Sequence, residues 1–583
     1  MENGKPYLDP SRSIDERIDD LLSRMPLEEK AGMMFQTMVM ISPDGEFNPD
    51  VSAFGWPSLG EMLDKHMTHF NLVGSADAGK MAAWVNQLQK LAEERGLGIP
   101  ATLSSDPRHG FDDNPGAFMA TQAFSQWPEP PGLAAIGDAS VVEEFADIAR
   151  QEYIAVGLRS ALHPMADLAT EPRWARVNGT FGEDNEVAAK LTAAYIRGFQ
   201  GAEIDAESVA CMTKHFPGGG PQKDGEDSHF EYGREQVYPG DNFDYHLLPF
   251  EAAFEAGTAM IMPYYSMPVG TEHEEVGFAF NKGIITDLLR EKYGFDGVVC
   301  TDWGTLSDAE IMGTPFPARA WGVEHLSLGE RIIKSLQAGI DQFGGEACPE
   351  ALVELVQNGQ VSEARLDISV RRLLRDKFRL GLFENRYVDE AAAGDIAGNP
   401  AFRAAGDLAQ RKSIVLLKND GKMPLPGRPK IYIENIQPEV AAQYGDIVEE
   451  PADADFAILR LQTPFEPRSS TFLENFFHAG DLDFKEPELS RILAIMAQTP
   501  TIVDIYLERG AVIPEIAAAS AGLVANFGAS DATVLDIIFG RFKPAATLPF
   551  ELPSSMEAVR AQHPDVPRDS VDPLFEYGFG LTY

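Results

Sequence analysis

The sequence predicts an α/β protein in which a (β/α)8 barrel of the TIM type is followed by a smaller α/β domain. Three observations support this fold class. Short apolar runs alternate with amphipathic stretches along the chain. Eight such runs fall within about the first 380 residues, as a barrel with insertions requires. A second alternation of the same kind follows a stretch with little periodicity.

The eight runs that we interpret as barrel strands share a short length and a mostly apolar composition. They lie at 33–38, 70–74, 101–104, 161–164, 209–213, 259–262, 298–301 and 339–343. Amphipathic helices are predicted between most of them. In the stretch 184–200, for example, the apolar residues fall on one helical face, and Gly201 stands where a C-cap is expected.

The predicted domain boundaries follow from these patterns. Residues 1–384 form the barrel, and residues 385–412, rich in Ala and Gly near their start, form a linker. Residues 413–583 form an α/β sandwich domain, with strands expected at 431–434, 456–461, 502–507 and 523–527 and helices at 488–498 and 531–539.

The composition narrows the range of partners. The chain has 583 residues, and 90 acidic against 48 basic residues give a net charge of −42. Such a charge repels phosphate backbones and anionic lipid, so nucleic acid and membranes are unfavourable partners. The 3 cysteines have neither disulfide nor zinc-site spacing. The N-terminus lacks a signal pattern, so we expect a cytoplasmic protein, or a periplasmic or secreted one if a leader was removed.

Polar residues follow the ends of many predicted barrel strands. They are Asp106, Asp167, Lys214 with His215, Tyr265, Asp302 and Asp341. The alternative interpretation is that these residues are polar only because strand ends meet solvent. The recurrence at equivalent positions nevertheless favours an active site at the C-terminal face of the barrel, where such barrels build it.

The strongest local signal is the run GFDGVVCTDWG at 294–304, a turn and a short apolar strand that ends at Asp302 and Trp303. A carboxylate beside an indole suits sugar chemistry, because the indole packs against the apolar face of a pyranose while the carboxylate attacks the anomeric carbon. The alternative is that Asp302 caps the next helix.

Three further stretches carry candidate binding residues. KHFPGGGP at 214–221 places Lys214 and His215 side by side as donors to hydroxyl groups; a phosphate loop is the rival interpretation, but the spacing fits no phosphate-binding motif. SDPRHG at 105–110 and EPRWAR at 171–176 offer Asp106 and Arg173 as hydroxyl ligands. Their alternative role is a buried ion-pair network, and Glu183 and Asp184 are expected to be structural.

These stretches, taken in order, resemble glycoside hydrolase family 3, the β-glucosidase family. RKSIVLLKND at 411–420 and YGFGLTY at 577–583 extend the resemblance over nearly the whole chain. It implies a barrel plus an α/β sandwich with the active site between them, and the chain stops before the fibronectin-like third domain that the family often carries.

The resemblance also implies roles for single residues. Asp302 matches the nucleophile. Asp106, Arg173, Lys214, His215 and Tyr265 match positions that bind the sugar before the cleaved bond, with Tyr264 as an alternative to Tyr265. Trp303 matches an aromatic residue that often follows the nucleophile. No metal and no organic cofactor is expected.

The acid/base residue is left open among three candidates. We expect Glu474, because it lies nearer to Gly480 and Asp481, which resemble the end of the family's second-domain loop. Glu466 lies beside Arg468 in sequence, and such a neighbour would lower its pKa. The run Asp227-Ser-His229 resembles the His–Asp dyad of the N-acetylglucosaminidase branch, although the spacer is longer here.

The predicted function is a retaining, exo-acting β-glucosidase that acts on a small glycoside or oligosaccharide. A β-xylosidase or β-N-acetylhexosaminidase is the alternative within the family. A serine hydrolase built on Ser530 and His563, or a sugar-binding protein without catalysis, is the alternative outside it. A homodimer is expected because neighbouring subunits complete the site in similar enzymes.

Overall fold

The computed structural model describes residues 5–52, 55–112, 114, 118–311 and 314–583. Eight parallel strands form a closed barrel, as predicted: β1 Phe35–Met40, β2 His69–Val73, β3 Thr102–Ser105, β4 Ser160–Ala161, β5 Ala210–Phe216, β6 Met260–Pro263, β7 Val298–Val299 and β8 Phe343–Gly344. β8 pairs with β1, and a parallel bridge between Cys300 and Gln342 closes the barrel between β7 and β8.

The first and last strands differ most from their predicted ranges. β1 starts at Phe35 because residues 27–33 belong to the helix Leu27–Met33. β8 starts at Phe343 because Gly339, with φ of 113°, ends the preceding helix in a left-handed conformation that a side chain disfavours. Asp341 therefore lies before β8, where it accepts hydrogen bonds from Arg290 and Arg372 and takes no part in the C-terminal face.

Helices surround the barrel and connect its strands. Their bounds are Ile14–Leu22, Leu27–Met33, Leu59–Asp64, Ala78–Glu93, Pro130–Ile136, Ala139–Ala155, Asn185–Gln200, Leu248–Glu255, Gly283–Lys292 (a π-helix), Leu328–Ala338, Pro349–Gln357 and Glu363–Arg379. The predicted 184–200 helix has the expected ends, since Asp184 accepts from the N–H of Val187 and Gly201 donates to the carbonyl of Arg197.

The segment 385–412, expected as a linker, contains the helix Glu390–Ile396 and most of the helix Pro400–Ser413. Asp389 and Asn399 cap these helices by accepting hydrogen bonds from the backbone N–H groups of their first turns. The Asn-Pro pair at 399–400 is a helix-start signal that would have indicated the second helix.

The second domain is built on one six-stranded sheet. Its strands are β9 Val415–Asn419, β10 Lys430–Glu434, β11 Asp446–Ile447, β12 Phe456–Gln462, β13 Thr501–Tyr506 and β14 Gly522–Asn526, in the order β9-β14-β13-β12-β10-β11. Only β9 is antiparallel to its neighbour. The helices Pro438–Ala441, Glu488–Met496, Pro514–Ala519, Asp531–Ile538 and Met556–Ala561 accompany the sheet.

Hydrogen bonds fix the two domains to each other. The buried Glu183 accepts from the backbone N–H groups of Glu551 and Arg568, each at 2.9 Å. Asp565 accepts from the backbone N–H groups of Gly240 and Asn242 at 3.0 Å. The second-domain loop 463–483 meets the barrel through its own contacts, among them the ion pair of Arg468 with Glu226.

Candidate active site

A cavity of about 700 Å³ lies at the C-terminal ends of the barrel strands, under the second-domain loop. Polar residues from the strand ends line one part of it: Asn71, Asp106, Arg176, Lys214, His215, His229, Tyr265, Asp302, Arg319 and Glu346. Apolar side chains from loops of both domains line another part. Most of the strand-end residues predicted from sequence therefore meet in one place, as the barrel geometry requires. Asp167 and Asp341 are the exceptions, since neither lines the cavity.

Asp302 follows β7 and lies in the cavity wall. Its Oδ1 accepts a hydrogen bond from the backbone N–H of Trp303 at 2.8 Å, and its buried Oδ2 has no hydrogen-bond partner among the described residues. Nε2 of His215 lies 3.9 Å from that oxygen, beyond hydrogen-bond distance. One carboxylate oxygen is thus held in place while the other is left for a ligand.

Lys214 and Asp106 form the second part of the site. The Lys214 ammonium lies 3.0 Å from Oδ1 of Asp106, whose Oδ2 accepts from the Asn71 amide at 3.3 Å. Both charges are largely buried, so the pair loses little strength to solvent screening. An ammonium and a carboxylate together present a donor and an acceptor to neighbouring sugar hydroxyls.

His215 is held between two charged groups. Its Nδ1 lies 2.8 Å from Oδ2 of Asp167, and its Nε2 lies 3.0 Å from Nη1 of Arg176. Because Arg176 can only donate, Nε2 accepts and Nδ1 carries the proton. Burial and then the Arg176 charge lower the pKa of His215 well below its usual value, so the ring is neutral. Burial also raises the pKa of Asp167 to about 6.

Arg173, the arginine selected from sequence, does not line the cavity. Its guanidinium forms an ion pair with Glu171 at 2.8 Å, and its carbonyl accepts a hydrogen bond from Arg509 of the second domain. Arg176, three residues on, lies in the cavity wall. Both arginines lie in one loop without regular secondary structure. Such a loop has no periodicity that could indicate which of the two faces the cavity.

Tyr265, Trp303 and Arg319 form one connected wall. The Tyr265 hydroxyl donates to the carbonyl of Trp303 at 2.8 Å, and Nη1 of Arg319 donates to the same carbonyl at 3.2 Å. Tyr264, the alternative to Tyr265, points elsewhere and donates to Asp227. Gly345 (φ of 70°) lies against Trp303, where a Cβ would fall 2.9 Å from Trp303 Cα, so glycine lets the indole pack there.

His229 and Asp227 form a dyad in the same cavity. Nδ1 of His229 lies 2.6 Å from Oδ1 of Asp227, and Oδ2 of Asp227 accepts from the Trp174 indole and the Tyr264 hydroxyl, each at 2.8 Å. Burial opposes the charged form of Asp227, but the His229 and Arg176 charges and these hydrogen bonds outweigh it and lower its pKa. Asp227 therefore stays ionised and fixes the His229 tautomer with Nε2 unprotonated.

The two glutamates considered from sequence lie outside the cavity lining. Glu474 accepts hydrogen bonds from the backbone N–H groups of Ser470 and Thr471 and from the Tyr232 hydroxyl. Burial alone would raise the pKa of Glu474, yet these bonds together lower it. Glu466 is exposed at the surface, and the Arg468 guanidinium pairs with Glu226 at 2.5 Å instead.

Glu346, which follows β8, was not selected from sequence. Its Oε1 accepts from the backbone N–H groups of Leu306 and Ser307, at 2.7 and 3.2 Å, and its Oε2 accepts from the Ser307 hydroxyl. Burial raises its pKa to about 7. Glu346 thus anchors the loop that carries Asp302 and Trp303. The sequence predicts that this strand ends at Phe343. A polar residue shortly after a barrel strand is the signal that could have identified Glu346.

The second-domain loop contributes apolar rather than acidic groups to the cavity. Phe472, Leu473 and Phe476 line it, and the amide of Asn114 donates to the carbonyl of Phe476. Phe477 is buried instead, with its ring centroid 4.6 Å from that of His229. The domains therefore meet directly at the dyad.

Other features considered from sequence have structural explanations. Ser530 caps the helix Asp531–Ile538, and His563 is bonded to Asp569.

Across the described part of the chain, no group of three or more His, Cys, Asp or Glu side chains could hold a metal ion. Every helix among the described residues is too short or too polar to cross a bilayer.

Comparison with known proteins bears on this site. A family model described as the glycosyl hydrolase family 3 N-terminal domain matches residues 65–375. Beta-glucosidase C of Emericella nidulans is 50% identical over 99% of this chain and 94% of its own length. A periplasmic beta-glucosidase/beta-xylosidase of Dickeya chrysanthemi is 42% identical over 99% of this chain and 91% of its own length.

Two solved structures share the fold. A β-glucosidase from Erythrobacter marinus superposes with a TM-score of 0.83 at 21% identity, covering 100% of this chain and 84% of that one. An exo-1,3/1,4-beta-glucanase variant from a Pseudoalteromonas species superposes with a TM-score of 0.79 at 21% identity, covering 99% and 96%. At this identity the likeness concerns the architecture of both domains.

Proposed function

Because this chain belongs to glycosyl hydrolase family 3 and is a glycoside hydrolase, we propose that it is a retaining β-glucosidase that removes terminal β-glucosyl residues. The observation that carries the proposal is Asp302, with one carboxylate oxygen fixed and the other unpartnered in a cavity lined by hydroxyl-binding groups. The names of the relatives favour glucose as the sugar.

In the proposed reaction, Oδ2 of Asp302 attacks the anomeric carbon while the glycosidic oxygen leaves with a proton. A glycosyl ester forms on Asp302, and water then attacks the same carbon and restores the free carboxylate. The Lys214–Asp106 pair, Arg176 and neutral His215 bind the sugar hydroxyls. Because these groups gather at the strand ends, with the apolar loops on other walls, they support binding of one terminal sugar and hence exo action.

We propose His229, assisted by Asp227, as the acid/base. The contacts favour it over Glu474, since His229 lines the cavity and Nε2 makes no hydrogen bond to a described residue, whereas Glu474 lies outside the lining and accepts hydrogen bonds at both carboxylate oxygens. Burial lowers the pKa of His229, while the Asp227 and Asp302 charges act in the opposite direction and favour the imidazolium. Ionised Asp227 would stabilise the imidazolium that protonates the leaving oxygen, and neutral Nε2 would then accept the proton of water.

A mechanism-based label tests the nucleophile and the sugar together. Incubation with a 2-deoxy-2-fluoro-β-glucoside bearing a good leaving group should inactivate the enzyme, and peptide mapping should find the sugar on the peptide that contains Asp302. NMR of the first product should show the β-anomer. A label on another carboxylate, or an α-product, would contradict the proposal.

Xylose is the second candidate sugar, because the D. chrysanthemi relative is named for both activities. Nitrophenyl β-glucoside, β-xyloside and β-N-acetylglucosaminide, assayed in parallel, separate the three activities. We expect the highest kcat/KM for the glucoside.

Two expectations from the sequence, the cytoplasmic location and the homodimer, remain predictions. Fractionation of the source cells tests the cytoplasmic location, against the periplasmic location in the name of the D. chrysanthemi relative. Light scattering coupled to gel filtration tests the homodimer.

A further inference from the structure

A smaller groove of about 210 Å³ adjoins the catalytic cavity. Met38, Met40, Trp56 and Pro57 border both spaces. The groove and the catalytic cavity therefore lie side by side along these four residues.

The size of the catalytic cavity already indicates a ligand longer than one sugar ring. A volume of about 700 Å³ is within the range that holds drug-sized molecules. The hydroxyl-binding groups at Lys214, His215 and Asp302 account for one part of it. The remainder has mostly apolar walls, among them Met119, Phe316 and Phe476, although Asp308 and Glu310 also line it.

The register of β1 explains why methionines connect the two spaces. Gln36, Met38 and Met40 alternate along the strand and so share one face. The Gln36 amide donates to Ser104 Oγ of β3, which shows that this face points into the barrel. Met40, at the rim, is exposed even though its neighbour Val39 is buried.

The walls of the groove are mainly apolar. Beyond Met40 they comprise Val51, Trp56, Leu59, Met62 and Trp84. Three polar residues also line it: the Ser42 hydroxyl donates to Asp44, the Asn48 side chain accepts from the N–H of Asp50, and Glu46 is exposed to solvent. A second sugar would lose hydrogen bonds to water here with little replacement, whereas an apolar group would gain by leaving water. Methionine side chains adapt to varied apolar shapes.

We infer that this groove, formed by Met40, Val51, Trp56 and Met62, binds the far end of an elongated apolar aglycone. The inference rests on the proposed function and adds the class of substrate, namely glucosides of long alkyl or polycyclic alcohols rather than of a second sugar. The glycosidic bond then lies near Asp302, and the aglycone runs along Met38 and Met40.

A chain-length series tests this inference. The parent enzyme should hydrolyse methyl, butyl, hexyl and octyl β-glucosides with kcat/KM that rises by up to about threefold per methylene group once the chain reaches the groove. Val51→Glu places a charge in the groove at a side chain that is 61% exposed, so the fold should be unaffected. It should lower kcat/KM for the octyl glucoside by about tenfold and leave that for the methyl glucoside unchanged.

Ile368→Glu is the matched control. Ile368 is 51% exposed on the outer helix Glu363–Arg379, away from both spaces. This variant should retain the parent's chain-length dependence. Met40→Gln should weaken the dependence, as Val51→Glu does.

The outcomes separate this inference from the proposed function. Equal kcat/KM for methyl and octyl glucosides in an enzyme that hydrolyses nitrophenyl glucoside overturns the groove assignment alone. A chain-length dependence that Val51→Glu leaves intact does the same. If no glucoside is hydrolysed, the proposed function fails, and calorimetry with octyl β-thioglucoside still tests the groove: tighter binding than methyl β-thioglucoside, lost in Val51→Glu, supports it, and equal binding refutes it.

Discussion

Nδ1 of His229 lies 2.6 Å from Oδ1 of Asp227, and the two residues are two positions apart on one barrel loop. The second domain touches this pair through Phe477, which packs on the His229 ring. If the acid/base belongs to the barrel, the second domain supplies no proton donor. Its role is then to cover the cavity and to hold the His229–Asp227 pair in place.

The dyad leads to the first prediction. His229→Ala should lower kcat/KM strongly for alkyl glucosides, whose leaving groups need protonation, and much less for dinitrophenyl glucoside, whose leaving group does not. Hydrolysis of the glycosyl ester should be slow for both. Azide should restore turnover by attacking the glycosyl ester and should yield β-glucosyl azide. Glu474→Gln is the comparison variant, and azide rescue in that variant but not in His229→Ala would assign the role to Glu474.

The nucleophile leads to the second prediction. Asp302→Asn keeps the size of the side chain and an oxygen to accept from the N–H of Trp303. We expect kcat to fall by about 10⁴-fold or more, with the thermal unfolding midpoint within a few degrees of the parent value. Turnover at the parental rate would show that another residue attacks the sugar.

The two arginines of the loop 171–176 give a matched pair. Arg176→Lys removes the planar donor that bonds His215 in the cavity, so KM for nitrophenyl glucoside should rise by about tenfold or more. Arg173→Lys alters only the ion pair with Glu171 outside the cavity, and KM should stay near the parental value. The reverse pattern would restore Arg173 as the sugar ligand.

Glu346 is a positioning residue for the nucleophile loop. Glu346→Ala leaves two N–H groups and the Ser307 hydroxyl without their acceptor, so kcat/KM should fall by about ten- to a hundredfold. Glu346→Gln retains an oxygen for the N–H groups and should recover most of the loss. A purely structural role would lower the unfolding midpoint of Glu346→Ala without changing kcat of the folded fraction.

Buried carboxyl groups make stability depend on pH. Burial raises the pKa of Glu129 to about 8 and that of Glu183 to about 7, from 4.5 in the unfolded chain. Between pH 4.5 and 8 the folded state therefore binds more protons, and the free energy of unfolding falls as pH rises. Buried histidines such as His215, with lowered pKa values, act in the opposite direction near pH 6. Calorimetric scans at pH 6 and pH 8 should therefore show the carboxyl contribution as the part of the change in midpoint that replacing Glu129 removes.

Glu129→Gln should reduce this carboxyl contribution. Oε1 of Glu129 accepts from the N–H groups of Phe111 and Asp112, which an amide oxygen can still do, and its buried Oε2 has no hydrogen-bond partner among the described residues. Removing the buried charge should stabilise the protein at pH 8 by about 1–2 kcal/mol. Glu203→Gln at an exposed site is the control, and an equal pH dependence in both variants would contradict the explanation.

The sequence by itself determined the barrel, the second domain and the residues at the strand ends. Alternating apolar runs and caps are local properties, and a strand that ends at Asp302 or Lys214 must present that residue at one face of a parallel barrel. Motif resemblance then identified the family.

Only the tertiary structure decided among residues on loops. Arg173 and Arg176 lie on one irregular segment, so no period shows that Arg176 meets His215. Glu474 and His229 are 245 residues apart in sequence, and only the packing of Phe477 and Tyr232 across the domain interface sets which of them reaches the cavity. Side-chain contacts between distant segments depend on long-range packing, which local sequence patterns do not encode.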